Sequence, residues 1–592
     1  MRGGQRQNVA MPDTTLSAER PSPRPVRDIA DAYVTSLADL NPMLATRLGL
    51  NPGDDRLPDA SPAGQQARDD LARSTLADLD AAERPAGASG AAGAADAGPA
   101  ADGDERRCAR LLRERLTAGL AISSAGEHLR EVSNIFGPVQ QARGIFMIMP
   151  AATEDDWAVI ARRMARVGPY LAGYRESLTE GARRGLLAAP RPVRAVVGQL
   201  GEWASLAGGK GWFADFASGA SVPPALRADL DEAAAAAASS VASLRGWLAD
   251  EYLPRAEGTP DGVGEDRYRT SAGYWTGASI DPAEAYAWGW SEYLSLREQM
   301  RAEAQRVLPG SSALAAMRYL DASSEAIDGV EEIRQRLQRL MDEAIADLDG
   351  THFDLAGRLK AVEVRIAPAG SAAAPYYTPP SQDFSRPGRT WLPTLGRTRF
   401  PVWNLISTWY HEGVPGHHLQ LAQWTHLSQQ LSVYQTTAGS VSACAEGWAL
   451  YAERLMDELG YLSAPGARLG YLDAQMMRAI RVVVDIGMHL NLTIPADSPM
   501  APGETWTPEL ALEFFAAHSG RERDFLDSEI VRYLSAPGQA ISYKLGERAW
   551  LAGRRAARAA RGGDFDLKSW HMAALSLGSL GLDDLTGELA AL

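Results

Sequence analysis

The segment "YHEGVPGHHLQ", residues 410–420, holds the densest group of candidate metal ligands in the chain. It begins as the zinc-peptidase motif His-Glu-x-x-His does, but Pro415 stands where that motif has its second histidine. Two further histidines follow at 417 and 418, although the whole chain contains only 9 histidines. Whether these side chains can meet one metal ion depends on how the backbone passes through Pro415.

A regular helix cannot bring these histidines together. Pro415 has no N–H for the carbonyl of His411, and its ring clashes with that carbonyl. On an ideal helix His417 would point about 120° away from His411, and His418 would lie about 10.5 Å further along the axis. A break at "GVPG" that absorbs two residues would instead place His417 where the missing histidine belongs. The sequence therefore predicts an expanded zinc helix, and the shape of the break decides between His417 and His418.

The alternative is an ordinary Pro-Gly turn that carries surface histidines. The run "VWNLISTWY" precedes the motif and would bury the start of this segment. Solvated turns seldom follow such an apolar run, which favours the metal site.

A third ligand is expected in "CAEGWALYAERLMDELG", residues 444–460, which favours a helix. Glu446 and Glu453 lie seven residues apart and therefore near one face of that helix. Glu446 is the predicted ligand. Glu453 is either an alternative ligand or, as we prefer, a partner that orients a histidine.

Glu412 follows His411 directly and would lie beside the open position of the metal. A carboxylate there can take a proton from zinc-bound water and deliver it to a leaving amine. This is the chemistry of amide hydrolysis by metal-activated water. It predicts one Zn²⁺ per chain and Glu412 as general base.

The composition excludes several other classes. The chain has 592 residues, a net charge of -15 and no block of lysine and arginine, which argues against nucleic acid and acidic membranes as partners. Cys108 and Cys444 are the only cysteines, so neither a disulfide framework nor a cysteine zinc site is expected. We find no secretory signal and no apolar run long enough to span a membrane, which predicts a cytoplasmic protein. Nothing in the sequence sets the oligomeric state.

The organisation of the chain is predicted from its composition and punctuation. Residues 1–27 are polar and proline-rich and are expected to be disordered, whereas residues 28–592 are expected to form a single large catalytic domain. Residues 81–103 are an alanine- and glycine-rich run that predicts a flexible loop.

Helix signals dominate the large domain. Proline or acidic residues follow three predicted N-caps, at Thr153 with Asp156, at Asp281 and at Thr507. Strand patterns are confined to "AVEVRIAP" (361–368) and "RTWLPT" (389–394). The predicted fold class is therefore mainly α, with one small β-sheet near the middle.

Several motifs in order carry a family resemblance. "HEGVPGHHLQ", "EGWALYAE", "RAIRVVVDIGMH" (478–489) and "APGQAISYKLG" (536–546) resemble the bacterial domain-of-unknown-function 885 family, which is related to zincin-like metallopeptidases of the glutamate-zincin type. The resemblance spans roughly residues 25–590. It implies a large helical zincin-like fold with a deep active-site cleft and a His-His-Glu zinc site. Carried over residue by residue, it assigns His411, His417 and Glu446 as ligands and Glu412 as the base.

The same resemblance draws attention to two tyrosines. Similar helical oligopeptidases place a tyrosine well after the zinc helix to stabilise the oxyanion, and Tyr543 would take that part because a phenol can donate to developing charge. Tyr533 is the second choice. An ordinary buried tyrosine is the alternative for either residue.

Four further polar residues are candidates for the surroundings of the metal. Arg481, Asp485 and His489 lie four residues apart on one helix face, where they form either a polar network that lines the cleft or a structural salt bridge. Arg386 in "SRPG" is a candidate for binding a substrate carboxylate.

Three functions remain open. The first is a zinc-dependent hydrolase of peptide or peptide-like amide bonds that takes short peptides. The second keeps the metal but acts on a small non-peptide amide metabolite. The third is a non-catalytic binding protein on a zincin fold, against which the intact His411-Glu412 pair argues.

Overall fold

We describe the protein from a computed structural model. The structure describes residues 25–51, 53–84, 99–205, 208–323, 326–367, 374–464 and 466–592. These residues form a mainly α-helical molecule with small β-sheets near the middle of the chain, which confirms the predicted fold class at this level.

Helices make up most of the described chain, and we number them in chain order. The first half contains α1 Val26–Leu40, α2 Pro42–Leu48, α3 Pro62–Glu83, α4 Pro99–Ser124, α5 Pro138–Ile148, α6 Glu154–Met164, α7 Val167–Arg183, α8 Pro190–Trp203, α9 Trp212–Ser218, α10 Pro224–Trp247, α11 Leu253–Ala256, α12 Glu265–Thr276 and α13 Pro282–Val307. The second half contains α14 Ala313–Ser323, α15 Val330–Leu348, α16 Leu405–Glu412, α17 His417–His426, α18 Val433–Thr436, α19 Ser442–Glu458, α20 Ala467–Leu490, α21 Pro508–His518, α22 Arg523–Ser535, α23 Ser542–Arg561, α24 Leu567–Leu575 and α25 Leu582–Ala591. Short 3-10 turns lie at Glu127–Leu129, Gly357–Lys360 and Gly562–Asp564, and a π-helical turn lies at Leu248–Tyr252.

Two small sheets lie between α14 and α16. The strands are β1 Ala326–Asp328, β2 Val362–Ile366, β3 Tyr376–Thr378, β4 Gly388–Leu392 and β5 Arg399–Pro401. β4 lies in the centre of a three-stranded sheet, parallel to β2 and antiparallel to β3, while β1 pairs antiparallel with β5. The predicted strands correspond to β2 and β4. The prediction of one sheet was wrong, since the described chain has a second sheet of two strands.

The predicted helix starts are present. Thr153 and Asp156 form a reciprocal capping box at α6, and the side chains of Asp281 and Thr507 accept backbone N–H bonds at the starts of α13 and α21. These short polar side chains satisfy backbone donors that the first helical turn leaves free.

The predicted disordered segment and loop fall largely outside the description. Of residues 1–27, residues 1–24 lie outside the described residues, and α1 has begun by Val26. Of the predicted loop 81–103, residues 85–98 lie outside the description, and α3 and α4 take up its two ends. No described helix is long and apolar enough to cross a membrane. The single domain and the cytoplasmic location remain predictions.

The buried apolar side chains form two clusters. The smaller cluster consists mainly of side chains from α5 to α11. The larger cluster consists mainly of side chains from α1, α3 and α4 and from α12 to α25. The larger cluster encloses α16, α17, α19, α20 and α23, which carry the predicted metal ligands and most of their predicted neighbours. These side chains are therefore held by a packed core, which restricts their rotamers.

Candidate metal centre

The helix that begins the metal motif is interrupted where Pro415 predicts it. α16 ends at Glu412 and α17 starts at His417, with a cis peptide bond between Val414 and Pro415. The N–H of Gly416 donates to the carbonyl of Tyr410, six residues earlier, at 3.0 Å. A regular α-helix bonds residues four apart, so the break absorbs two residues. His417 therefore follows His411 as the second histidine of an unbroken motif would.

Two glycines and a tryptophan fix the shape of this break. A Cβ on Gly413 would overlap the thioether of Met341, and a Cβ on Gly416 would overlap the carbonyl of His411. The indole of Trp448 on α19 donates to the carbonyls of both Pro415 and Gly416 at 3.0 Å. The two helix halves are thus held by side chains from outside, because no continuous backbone ladder joins them.

His411, His417 and Glu446 converge on one point. One ligand atom from each of them lies within 4.8 Å of the others. Oε2 of Glu446 lies 3.4 Å from Nε2 of His411 and 3.7 Å from Nε2 of His417. The two imidazole rings have centroids 4.8 Å apart and are nearly perpendicular. This is the only cluster of three or more such groups in the part of the chain that the structure describes.

The donor atoms fit a bound cation. Oε2 of Glu446 is buried and has no hydrogen-bond partner among the described residues. A buried carboxylate oxygen without a donor is costly, and a metal ion would satisfy it. Two imidazoles and one carboxylate are also ordinary zinc ligands. The residues present therefore suit a zinc ion.

Glu453 orients the ring of His411. Its carboxylate accepts from Nδ1 of His411 at 2.8 Å and from the hydroxyl of Ser407 at 2.5 Å. This bond leaves Nε2 of His411 directed at Glu446, so Glu453 occupies the orienting position and not that of a ligand. Arg478, which the sequence analysis did not single out, lies 3.5 Å from the same carboxylate.

The charges of these groups reinforce one another. Burial lowers the pKa of His411, but the neighbouring carboxylates of Glu446 and Glu453 outweigh it and raise that pKa to about 9. Burial raises the pKa of Glu446, but the two histidines outweigh it and hold that pKa below its usual range. For Glu453, burial also raises the pKa, but Arg478 and His411 lower it overall. The carboxylates therefore stay ionised beside a centre that favours positive charge.

Glu412 lies beside this cluster. The residue is 8% exposed, and its carboxylate has no hydrogen-bond or ion-pair partner in the described part of the chain. Burial raises the pKa of Glu412, whereas the charges of His411 and His417 act in the opposite direction. A buried and unpartnered carboxylate next to two imidazoles is suited to exchange a proton.

His418 points away from the cluster. Its Nδ1 accepts from the hydroxyl of Tyr377 at 2.9 Å, and its Nε2 donates to the carbonyl of Leu359 at 2.8 Å. Burial lowers the pKa of His418 to about 4, so the ring is neutral with both nitrogens engaged. The geometry thus brings His417 and not His418 to the candidate ligands, and His418 joins α17 to β3.

Tyr543 and Arg481 lie next to each other at the edge of the cluster. The guanidinium carbon of Arg481 is 4.6 Å from the centre of the Tyr543 ring. Burial raises the pKa of Tyr543, and the negative charge of Glu446 raises it further. The hydroxyl of Tyr543 has no hydrogen-bond partner among the described residues.

Tyr533, the second choice for the oxyanion, has its hydroxyl engaged elsewhere. It donates to Glu529 at 2.8 Å and accepts from Nε of Arg481 at 3.1 Å. Arg481 also pairs with Glu529 at 2.7 Å. Tyr533 therefore belongs to the buried ion network that holds Arg481, and a role for Tyr533 at an oxyanion remains a prediction.

A close helix crossing places Tyr543 near Glu446. A Cβ on Gly447 of α19 would overlap the backbone of Gly546 on α23, and a Cβ on Gly546 would overlap the carbonyl of Ala443. Only glycine permits this approach of two backbones. The crossing lies one residue after Glu446 and three after Tyr543, so it sets how far apart these two side chains stand.

Asp485 and His489 face another part of the core. Asp485 accepts from the hydroxyl of Tyr268 at 2.7 Å and from the N–H of Gly538 at 2.9 Å. His489 donates from Nε2 to the carbonyl of Tyr533 at 3.0 Å. Of the two alternatives for this helix face, these contacts favour the structural one for Asp485 and His489.

Arg386 is committed to its own loop. Its guanidinium donates to the carbonyl of Pro379 at 2.8 Å and to that of Pro387 at 3.3 Å, which closes the turn between β3 and β4. Binding of a substrate carboxylate by Arg386 remains a prediction.

Comparison with protein families shows to which family the chain belongs. A family model described as "Bacterial protein of unknown function (DUF885)" matches residues 42–589. The chain belongs to this family, as its motifs predict. Among curated proteins, no match is found.

Two solved structures share the fold. One is described as "The crystal structure of the putative lipoprotein from Colwellia psychrerythraea"; it has a TM-score of 0.80 and 22% identity, over 96% of this chain and 99% of that one. The other, described as "a putative lipoprotein of unknown function from Shewanella oneidensis", has a TM-score of 0.69 and 17% identity, over 95% and 99% of the two chains. At these identities the likeness shows a common fold alone.

Proposed function

We propose that this chain is a zinc-dependent hydrolase of peptide or peptide-like amide bonds with a zincin-like fold. One zinc ion per chain would be held by His411, His417 and Glu446. The observation that carries the proposal is the convergence of these three side chains, whose ligand atoms lie within 4.8 Å of one another. Hydrolytic zinc centres have three protein ligands of these types and an open fourth position.

The chemistry divides between the metal and Glu412. A bound zinc ion would acidify water and polarise a substrate carbonyl, as amide hydrolysis requires. Glu412 would accept a proton from water and pass it to the leaving amine, a role supported by its burial and its unpartnered carboxylate.

Two further residues would prepare the centre. Glu453 accepts from Nδ1 of His411, so that Nε2 faces the metal position, and fixes the tautomer of the ring. The hydroxyl of Tyr543 would donate to the oxyanion that forms on the substrate carbonyl. Arg481 supports this assignment because it lies against the Tyr543 ring and limits its rotation.

The substrate class follows from the chemistry and from the position of these groups. The side chains of His411, His417 and Glu446 are 4%, 12% and 22% exposed, so the centre offers little accessible surface to a folded protein. Short peptides or peptide-like amides are therefore the proposed substrates.

The first experiment measures metal in the purified chain by mass spectrometry. We expect about one equivalent of zinc in the wild type, its loss in His417→Ala, and its retention in the matched control His426→Ala on the same helix. Less than about a tenth of an equivalent in the wild type, with no gain after zinc is added, would overturn the proposal.

The second experiment tests the base. Glu412→Gln should retain zinc and lose turnover of a dipeptide and tripeptide panel by about a hundredfold or more. If this variant hydrolyses peptides at the wild-type rate, Glu412 is not the base. If the zinc-loaded wild type cleaves none of these peptides, the proposed substrate class is wrong.

A further inference from the structure

A second candidate site lies where the two hydrophobic clusters meet. A cavity of about 730 Å³ opens there, between α4, α5 and α12 and the segment 534–537. Val132 and Ala188 on its wall belong to the smaller cluster, and Leu534 belongs to the larger one. Cavities of this size at the boundary between two packed units are common places for small ligands.

The charges around this cavity do not all cancel. Six charged side chains line it: Arg47, Glu127, Arg130, Glu131, Asp261 and Arg267. Glu127 pairs with Arg267 at 2.8 Å and with Arg130 at 3.1 Å. Asp261 lies 3.6 Å from Arg191. Two charges of opposite sign remain, those of Glu131 and Arg47.

Neither of these two charged groups forms a hydrogen bond or an ion pair with a described residue. In the described part of the chain, the Glu131 carboxylate and the Arg47 guanidinium make no hydrogen bond and no ion pair within 4 Å. Burial raises the pKa of Glu131 to about 7 although the charge of Arg68 acts in the opposite direction, and a bound cation would lower that pKa further. Burial also lowers the pKa of Arg47. Glu131 is half-buried whereas Arg47 is exposed, so the Glu131 carboxylate in particular would gain from a ligand group of opposite charge.

The rest of the wall is apolar and aromatic. The rings of Phe136 and Trp275 have centroids 5.6 Å apart. Ile135 is 42% exposed and Ile148 is 50% exposed, and both line the cavity. Large apolar side chains that remain exposed at a cavity favour an apolar group in the ligand. The aromatic faces also favour an ammonium group.

We propose that this cavity binds a zwitterion with apolar side chains, a free amino acid or a short peptide. Its ammonium group would pair with Glu131 and its carboxylate with Arg47. The inference goes beyond the proposed function and does not rest on it, because no candidate metal ligand lines the cavity.

The test is calorimetric titration of the full chain after removal of metal by a chelator. The probes are leucyl-leucine, its N-acetyl form, which lacks the ammonium, and its C-terminal amide, which lacks the carboxylate. We expect leucyl-leucine to bind and each modified form to bind at least about tenfold more weakly, as the loss of a charged hydrogen bond requires.

Variants assign each end of the ligand. Glu131→Gln should weaken the binding of leucyl-leucine about tenfold without further weakening the binding of its N-acetyl form. Arg47→Gln should likewise weaken the binding of leucyl-leucine about tenfold without further weakening the binding of its C-terminal amide. Glu176→Gln and Arg558→Gln are exposed controls outside the cavity and should change neither.

Three results would overturn the proposal. The first is no binding of leucyl-leucine at millimolar concentration. The second is equal binding of the three probes, which the wild type alone reveals even if a variant does not fold. The third is binding only after zinc is restored, because the peptide would then lie at the metal centre.

Discussion

Glu453→Gln tests whether the Glu453 carboxylate orients His411 for metal binding. The substitution keeps the length and volume of the side chain but removes its charge. Glu453 is 0% exposed, and its Oε1 lies 2.8 Å from Nδ1 of His411. A hydrogen bond to a charged group contributes about 1.5–3 kcal/mol, and each 1.4 kcal/mol changes an equilibrium constant about tenfold. We therefore expect zinc to bind about tenfold to a hundredfold more weakly.

The same substitution has a second, separable effect. Arg478 lies 3.5 Å from Glu453 and would remain as a buried cation without this partner. Breaking a buried pair costs about 3–5 kcal/mol of unfolding free energy. Urea denaturation followed by circular dichroism measures this loss and also shows what fraction of the variant is folded during the zinc assay.

The zinc assay is competition with a chelator of known affinity, at a temperature where both proteins are fully folded. Glu458→Gln on the same helix is the matched control, because the Glu458 side chain is 43% exposed and an ion pair at such a position contributes at most about 1 kcal/mol. It should leave zinc affinity unchanged. If folded Glu453→Gln binds zinc within about twofold of the wild type, Glu453 does not prepare His411 for a metal.

Three further predictions address the surroundings of the centre. Gly447→Ala should lower the unfolding free energy by about 1–3 kcal/mol, because the new Cβ overlaps Gly546. The control is Gly198→Ala, which has no neighbour within 4 Å and should not destabilise the chain. Equal effects of the two substitutions in urea denaturation would contradict the close crossing. Burial raises the pKa of Asp485 to about 7 from 3.8, so the folded chain keeps a proton that the unfolded chain releases, and stability should fall by about 4 kcal/mol as the pH rises from about 4 to about 7. Asp485→Asn should flatten this part of the pH profile, and a slope like that of the wild type would show that Asp485 is not its source. Tyr543→Phe should keep zinc and lower kcat about a hundredfold with little change in KM, and unchanged kcat would remove the hydroxyl from the mechanism.

The interruption between α16 and α17 could be predicted because its cause is local. Pro415 removes a helix hydrogen bond and clashes with the preceding turn, Gly416 weakens the helix further, and the spacing of His411 and His417 then sets how many residues the break must absorb. The caps at α6, α13 and α21 could be predicted for the same reason. Each depends on one short polar side chain and the backbone next to it.

Contacts between distant segments could not be predicted from sequence patterns. β1 pairs with β5 across about seventy residues, and each strand has only three residues, so neither shows a periodic pattern. Arg478 lies in a helix that was quoted for its motif, but its position beside Glu453 depends on how α19 and α20 pack. The unpaired charge of Glu131 becomes visible only when the cavity around it is known.

Residues on one helix face also proved to have different surroundings. Arg481 and Asp485 are one turn apart on α20, as the spacing predicts. Arg481 lies against Tyr543, whereas Asp485 bonds to Tyr268 on α12. Periodicity states which way a side chain points but not which neighbour it meets.

Helix α19 carries three side chains that form or support the candidate metal centre. It carries the Glu446 carboxylate, the Glu453 carboxylate that holds His411, and the Trp448 indole that ties the two halves of the broken helix together. These groups cannot be lost one at a time if α19 detaches. Detachment of this one helix should therefore release a bound metal in a single cooperative step, because its side chains are packed in the same core as the rest of the centre.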